Sequence, residues 1–382
     1  MNDNSFSLYI HIPFCVKKCN YCDFYSIPFE QSLARQYVEA LGKEWDMMQR
    51  RMSLQSRTLR TVYIGGGTPS LLDAELWGRL QKVLFSKLDT TEVEEWSVEC
   101  NPDSFSLKKG YMYADTGVTR LTFGVQSLAQ KELSVCGRVH SAQRALEILN
   151  DTRLSQWFRS VSADLIYSLP GQTAKTLEKT VAAILSAPAV KHLSAYELTI
   201  GENTPFGRHR KRLPVPSEEQ SVKMYELIGT CCREKGMHQY EISNYAFDGH
   251  ESLHNKAYWS HKPYLGLGCS AHSYFHPKRW SNVADMEKYM HLLSSEKLPL
   301  DFEETITSRE MAGEMLFLGL RNAGGVDEED FAKRTGMSLY GEGRAEKLDH
   351  FREGGLLEKY GSRWKPTSRG MLLSEMMVRE LM

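Results

Sequence analysis

Residues 5–25 read SFSLYIHIPFCVKKCNYCDFY, a strand-like apolar run followed at once by three cysteines. The cysteines have the spacing C-x3-C-x2-C, so three thiolates from one short loop can surround a single iron–sulfur cluster: Cys15, Cys19 and Cys22. A cubane contains four irons, so three cysteines leave one iron without a protein ligand. This stretch predicts a 4Fe-4S cluster with one open iron, directly after the first strand.

Beyond this loop the chain alternates strand-like runs with helix-length segments. Six such runs occur in the first two-thirds of the sequence: SLYIHI, RTVYIGG, EWSVEC, RLTFGV, SADLIYSLP and HLSAYELT. Six strand–helix units with parallel strands predict an α/β fold, a (β/α)6 partial TIM barrel. Ligands of such folds bind at the carboxyl ends of the strands, so we expect the functional residues just after each run.

We divide the chain into three parts. Residues 1–235 form the predicted barrel domain with the cluster, and residues 236–306 are interpreted as a connecting segment. Residues 307–382 are predicted to form a winged-helix-like α+β domain, because helices there are followed by a hairpin, LLEKY and SRWKP around Gly361. Two capping boxes mark helix starts, one at Ser217 and Gln220 and one at Thr307 and Glu310.

Net charge, hydropathy and cysteine usage limit the kinds of protein that this chain can be. The formal net charge of 382 residues is -1, which indicates no bulk attraction to nucleic acid, and the C-terminal domain shows no strong basic stripe. The first residues lack a signal-peptide pattern, and no apolar run reaches the ~20 residues that cross a bilayer, so we expect a cytosolic protein. In a reducing compartment a tight group of cysteines more often holds metal than forms disulfides.

A structural zinc site is the alternative for the three cysteines. His11 or Cys100 would then complete the ligand set. A zinc site built on C-x2-C normally needs a second ligand pair at matching spacing, so the iron–sulfur interpretation is favoured.

The C-x3-C-x2-C loop after a first strand resembles that of radical S-adenosylmethionine (SAM) proteins, and the whole chain resembles their HemN and HemW family. The resemblance implies that the amino and carboxylate groups of SAM chelate the open iron. An electron from the reduced cluster then splits SAM into methionine and a 5′-deoxyadenosyl radical. In such proteins the cofactor carries the chemistry and the protein positions it.

Family positions that contact SAM match residues after the other strands. Gly66, Gly67 and Thr68 resemble the contact to its amino group, Arg138 suits its carboxylate, and Asp164 suits the ribose hydroxyls. The full set implied by the resemblance is Tyr9, Tyr21, Gly66, Gly67, Thr68, Glu99, Gln126, Arg138 and Asp164. Taken singly, each is more often structural, and a glycine triplet is usually a tight strand-to-helix turn.

Two features argue against the oxidase branch of this family, the oxygen-independent coproporphyrinogen oxidases. Their motif has a further cysteine two positions past the third, where this chain has Phe24. They also have an N-terminal extension that helps form the substrate site, whereas Cys15 lies close to the start of this sequence. The resemblance therefore leaves enzymatic activity open and predicts that coproporphyrinogen oxidation is absent.

A third feature indicates haem. His254-Asn255-Lys256-Ala257-Tyr258-Trp259 matches the H-N-x-x-Y-W motif of HemW-type proteins, whose histidine is proposed to bind haem. The resemblance implies a haem chaperone that passes haem to acceptor haemoproteins, with transient membrane contact left open. A histidine among aromatics is by default a core residue. Three other histidines compete for the iron: His250, His261 and His272.

One departure from the family concerns Cys269, which stands with Ser270 where the family is usually glycine-rich. Its thiol is either a bystander or a second haem or metal ligand. The alternative function for the whole chain is a radical SAM enzyme that acts on a tetrapyrrole, as a coproporphyrinogen oxidase or as a haem-degrading methyltransferase.

Overall fold

The computed structural model of the chain describes residues 4–382. Its strands are β1 (Ser5–Ile12), β2 (Phe14–Cys15), β3 (Ile27–Pro28), β4 (Thr58–Gly66), β5 (Glu95–Cys100), β6 (Arg120–Gln126), β7 (Ser160–Tyr167), β8 (Val190–Glu197), β9 (His238–Glu241), β10 (Asn244–Ala246), β11 (Tyr264–Leu267), β12 (His272–Phe275), β13 (Lys278–Asn282), β14 (Leu300–Thr305), β15 (Val326–Asp327), β16 (Leu357–Tyr360) and β17 (Arg363–Pro366).

The helices follow the strands along the chain. They are α1 (Gln31–Met52), α2 (Ala74–Val83), α3 (Leu107–Asp115), α4 (Gln130–Cys136), α5 (Ala142–Leu149), α6 (Arg153–Trp157), α7 (Ala174–Ser186), α8 (Pro205–Arg208), α9 (Glu218–Glu234), α10 (Leu253–Trp259), α11 (Met286–Ser294), α12 (Ser308–Gly319), α13 (Glu328–Thr335), α14 (Arg344–Glu353), α15 (Ser368–Leu372) and α16 (Ser374–Leu381). Both predicted capping boxes are present, at Ser217 before α9 and at Thr307 before α12.

The six predicted barrel strands pair in sequence order and in parallel, as β1-β4-β5-β6-β7-β8. Strands β1 and β8 are not neighbours, so the barrel is open, which confirms the predicted partial barrel. Because the strands are parallel, their carboxyl ends lie at the same rim, which we call the barrel mouth. The cluster loop leaves β1 at this mouth.

Residues 236–306, which we interpret as a connecting segment, also contribute strands to the main sheet. Strands β10 and β9 extend the sheet beyond β8, whereas β11, β12, β13 and β14 extend it beyond β1. Together they make one twelve-stranded sheet. The sequence pattern missed this because short strands at a sheet edge depend on partners far away in the chain.

The C-terminal part has its own hydrophobic core. Side chains from Ile306 to Leu381 form this core, which Tyr274 of β12 joins, and a separate main core lies around the barrel. The predicted hairpin is β16 and β17, with β15 as a third strand. No helix among residues 4–382 combines the length and the apolar character needed to cross a membrane.

Candidate cofactor site at the barrel mouth

The cluster loop is anchored by hydrogen bonds of Asn20, which do not involve the cysteine side chains. The amide of Asn20 donates to the carbonyl of Cys136 at 2.9 Å, and its side-chain amide donates to the carbonyl of Val135 at 2.8 Å. The carbonyl of Asn20 accepts from the amide of Phe206, also at 2.9 Å. The end of α4 and the start of α8 therefore hold the middle of the loop in place.

Two of the three cysteine sulfurs receive hydrogen bonds from the protein. The Thr68 hydroxyl lies 3.7 Å from Cys15 Sγ, and Arg138 Nη1 lies 3.5 Å from Cys19 Sγ. All three thiols are half-buried. Burial raises the pKa of Cys22 to about 11 and raises that of Cys15, so iron must displace protons to bind them. Thiolates stabilised by donors are the ligands that iron–sulfur clusters use.

The zinc alternative finds no support in the residues proposed to complete it. The ring nitrogens of His11 are both engaged, Nδ1 at 2.9 Å from the Tyr9 hydroxyl and Nε2 at 3.0 Å from the Tyr25 carbonyl. Cys100 is buried at the end of β5. Within residues 4–382 no three His, Cys, Asp or Glu side chains are close enough to share one metal ion. The thiolates of a cubane bind three different irons, which requires a wider spacing.

Gly66 and Gly67, at the end of β4, let the backbone approach neighbouring groups closely at the mouth. A Cβ on Gly67 would lie 2.7 Å from the Phe14 carbonyl oxygen, beside the first cysteine, and Gly66 has a φ of +110°. The Gly66 amide donates to Glu99 at 3.0 Å, and the Tyr63 hydroxyl donates to the same carboxylate at 2.8 Å. Glu99 is therefore held in the barrel, and burial raises its pKa.

Asn101 is a site residue that sequence reasoning missed. It follows β5 directly, and its side-chain amide donates to the Thr68 hydroxyl at 3.1 Å. Its side-chain oxygen accepts from Arg138 Nη2 at 2.6 Å. Asn101 thus joins the residues that contact Cys15 and Cys19. Its position one residue after a strand was the available signal.

The mouth contains buried polar atoms that lack partners among the described residues, namely Arg138 Nε and Asp164 Oδ1. Burial raises the pKa of Asp164 to about 7. A Cβ on Gly124 would lie 3.0 to 3.3 Å from the side chains of Gln126, Asn101 and Arg138, so this glycine keeps a space between them open. Buried unpaired polar groups beside an open space are typical of a ligand site.

These features fit SAM. A guanidinium suits a carboxylate, and a carboxyl group suits ribose hydroxyls. Gln126 has a φ of +66°, which is rare outside glycine and concentrates at functional sites.

The two predicted tyrosines occupy different surroundings. Tyr9 is half-buried on β1, and its ring stacks on that of Tyr63 with centroids 6.2 Å apart. Tyr21 packs on a small apolar cluster that includes Cys136, Ile166 and Phe206. Tyr9 therefore lies inside the barrel, whereas Tyr21, which is part of the cluster loop, packs on the apolar cluster that includes Phe206 of α8.

His254 is 1% exposed and is held by contacts on both faces. Its Nδ1 lies 2.8 Å from the Thr61 hydroxyl and its Nε2 2.9 Å from the Tyr258 hydroxyl. Its ring stacks on Tyr63 with centroids 5.0 Å apart, and burial lowers its pKa to about 4. In this conformation neither ring nitrogen is free to bind iron.

Cys269 is completely buried in the main hydrophobic core. Its amide donates to the Tyr37 hydroxyl at 3.1 Å. This placement is that of a small buried residue. The thiols of Cys100, Cys136 and Cys232 are also buried, and that of Cys231 is half-buried.

Two parts of the chain match models of known protein families. Residues 9–184 match the model of the Radical SAM superfamily, and residues 306–373 match that of the HemN C-terminal domain. The chain is 38% identical over 345 residues to the heme chaperone HemW of Bacillus subtilis, with 88% of each chain covered. It is 31% identical to that of Mycobacterium tuberculosis strain H37Rv, with 100% of this chain and 96% of the relative covered.

A solved structure supports the fold independently. The coproporphyrinogen III oxidase HemN from Escherichia coli, described as a radical SAM enzyme, superimposes with a TM-score of 0.85. The match covers 99% of this chain and 90% of that one, at 23% sequence identity. At this identity the likeness shows the fold alone, and it confirms the predicted partial barrel with its C-terminal domain.

Proposed function

Because the chain belongs to the HemW family of radical SAM proteins, we propose that it is a haem chaperone, which binds haem and transfers it to acceptor haemoproteins in the cytosol. The observation that carries this proposal is the 38% identity to a heme chaperone over 88% of both chains. Membership of the radical SAM superfamily implies a 4Fe-4S cluster and SAM.

Cys15, Cys19 and Cys22 are the proposed cluster ligands, and the barrel mouth is the proposed SAM site. Arg138 binds the SAM carboxylate, and Asp164 accepts from the ribose hydroxyls. The other proposed contacts come from Tyr9, Tyr21, Gly66, Gly67, Thr68, Glu99 and Gln126. When SAM is bound, the reduced cluster would supply the electron that cleaves it. The protein's own part is to hold the thiolates, through Thr68 and Arg138, and to orient the cofactor.

The cluster assignment is tested by replacing Cys15, Cys19 and Cys22 together with alanine. Anaerobically reconstituted wild-type protein should contain iron and sulfide and should bind SAM. The triple variant should contain neither iron nor sulfide and should not bind SAM. Cys231→Ala is the matched control, since this half-buried thiol lies on α9, outside the mouth. A triple variant that keeps its full iron content would refute the assignment.

The chaperone function is tested by titrating haem into the reconstituted protein and following the Soret band. We expect one haem per chain, and transfer of that haem when an apo-haemoprotein is added. The acceptor's own Soret spectrum should then appear, with the donor and acceptor separated afterwards by gel filtration. Protein that binds no haem under these conditions contradicts the proposal.

A radical SAM enzyme acting on a tetrapyrrole is the second candidate, favoured by the unpaired polar atoms that the mouth retains. Incubation with a reductant, SAM and coproporphyrinogen III separates the two functions. Protoporphyrinogen formation would establish oxidase activity, and methylated or opened haem would establish haem degradation. We expect neither product.

A further inference from the structure

A cleft beside the barrel mouth has the size and walls of a ligand site. Its volume is about 680 Å³, within the range of roughly 300–1,000 Å³ that ligand pockets occupy. The end of the cluster loop forms one wall, β11 and β12 form the second, and α12 of the C-terminal domain forms the third. The cleft therefore lies where both domains and the cluster loop meet.

Aromatic side chains line this cleft. Phe24 of the cluster loop is 65% exposed and Phe317 of α12 is 43% exposed, although both are large and apolar. Tyr25, Tyr258 and Tyr264 contribute to the same walls. Exposed aromatic side chains that line one cleft suit a flat, apolar ring system.

The histidines at and behind this cleft differ in whether their ring nitrogens make hydrogen bonds to the protein. His11 is engaged through both nitrogens, as described above. His261 Nε2 lies 2.9 Å from Glu314, and its Nδ1 lies 3.1 Å from Arg334. His254 is buried behind Tyr258 and does not line the cleft. These three imidazoles are therefore occupied by the fold.

His272 is the exception. It is exposed at the start of β12 and lines the cleft. Neither ring nitrogen makes a hydrogen bond to any other residue of the described chain 4–382. Its ring packs edge-on against Phe302, with centroids 6.0 Å apart, which restricts the ring without using its nitrogens. A free imidazole on a strand is a preorganised iron ligand.

We propose that the cleft binds haem, that His272 is a ligand of the haem iron, and that Phe24 and Phe317 contribute apolar contacts to the porphyrin. This inference rests on the proposed chaperone function and names the site where the haem binds. His254 then acts as a positioning residue, because its Nε2 holds the hydroxyl of Tyr258, which forms part of the cleft wall.

The test uses the full-length chain with its cluster reconstituted, and ferric haem as the probe. Haem affinity is measured from the Soret band, and axial ligation from electron paramagnetic resonance and magnetic circular dichroism. His272→Ala should weaken haem binding on the order of 10-fold or more and remove the histidine signature. His272→Gly should recover that signature when free imidazole is added, which a merely structural role would not produce.

Matched variants separate the ligand from its surroundings. His291→Ala, an exposed histidine outside the cleft, should bind haem as the wild type does. His254→Ala should change the affinity but keep the histidine signature. The double variant Phe24→Ala with Phe317→Ala should weaken binding without changing the ligand, whereas Tyr360→Ala, an exposed aromatic elsewhere, should not.

Two results would overturn the inference. If His254→Ala loses the histidine signature while His272→Ala keeps it, the ligand is His254, and the chaperone function still stands. If His272→Ala and the phenylalanine double variant both bind haem like the wild type, the cleft is not the site. Failure of the wild-type protein to bind haem is a different outcome, which refutes the proposed function together with the inference.

Discussion

The two ends of the barrel contain similar side chains in opposite states. At the mouth, Arg138 and Asp164 each keep a buried polar atom without a partner. At the amino ends of the strands, Arg120 and Glu95 form a buried ion pair at 2.9 Å, with side chains 4% and 6% exposed. At the amino ends the arginine and the carboxylate are paired with each other, whereas at the mouth each keeps one atom without a protein partner.

Both members of this ion pair make further hydrogen bonds. Arg120 also donates to the hydroxyls of Ser160 and Ser162 and to the carbonyls of residues 250 and 251. Glu95 accepts from the Ser252 hydroxyl at 3.2 Å and from the His254 amide at 3.1 Å. This ion pair therefore fastens the start of α10 to the barrel. Burial with complete hydrogen bonding indicates a structural role, whereas burial with unpaired atoms indicates a ligand.

The largest expected effect comes from breaking the paired end. Arg120→Met leaves the Glu95 carboxylate buried without its counter-charge, which should cost about 3–5 kcal/mol of unfolding free energy. Arg138→Met is the matched variant at the mouth and should cost less, because Arg138 donates to Asn101 and Cys19 rather than to a carboxylate, so no buried counter-charge is left unpaired. Urea denaturation of both variants measures the difference, and equal losses would contradict the distinction between the two ends.

His254→Ala tests whether the histidine of the H-N-x-x-Y-W motif stabilises the fold. It removes hydrogen bonds to Thr61 and Tyr258 and the stack on Tyr63, so we expect a loss of about 1–3 kcal/mol in unfolding free energy. His272→Ala should stay within about 0.5 kcal/mol of the wild type, since that residue is exposed. Unchanged stability of the His254 variant would show that its burial contributes nothing to the fold.

Arg138→Gln tests the ligand role of the mouth. The variant loses a charged donor to the SAM carboxylate, so affinity for SAM should fall about tenfold or more while the cluster is retained. Equilibrium dialysis with labelled SAM on the reconstituted protein measures the affinity, and iron analysis checks the cluster. Arg153→Gln, which breaks only an exposed pair with Asp151, serves as the control. An unaltered SAM affinity in the Arg138 variant would remove this residue from the site.

The last prediction concerns the pH dependence of stability that Asp164 causes. Its pKa rises from 3.8 unfolded to about 7 folded, so the folded state holds the proton more tightly between about pH 4 and pH 7. The stability of the ligand-free protein should therefore fall as pH rises through that window, by at most ~1.4 kcal/mol per pH unit from this one group. Asp164→Asn should lack this component in a pH series of denaturation curves. Parallel curves for the two proteins would contradict the assigned pKa.

Patterns of neighbouring residues predicted much of the fold. The C-x3-C-x2-C spacing identified the three cysteines proposed to bind the cluster, and the six apolar runs predicted the parallel strands in the correct order. The capping boxes at Ser217 and Thr307 were confirmed because each depends on residues three positions apart. Such signals can be read from the sequence, since the interacting groups are neighbours along the chain.

The sequence by itself determined the family, the barrel class and the three cysteines proposed to bind the cluster. Only the tertiary structure decided that residues 236–306 complete the sheet, that Asn101 joins the mouth, and that His254 is buried while His272 is exposed. The reason is distance along the chain: Thr61 and His254 are 193 residues apart and yet share a hydrogen bond. Whether an imidazole is occupied or free depends on such long-range contacts, which no local pattern records.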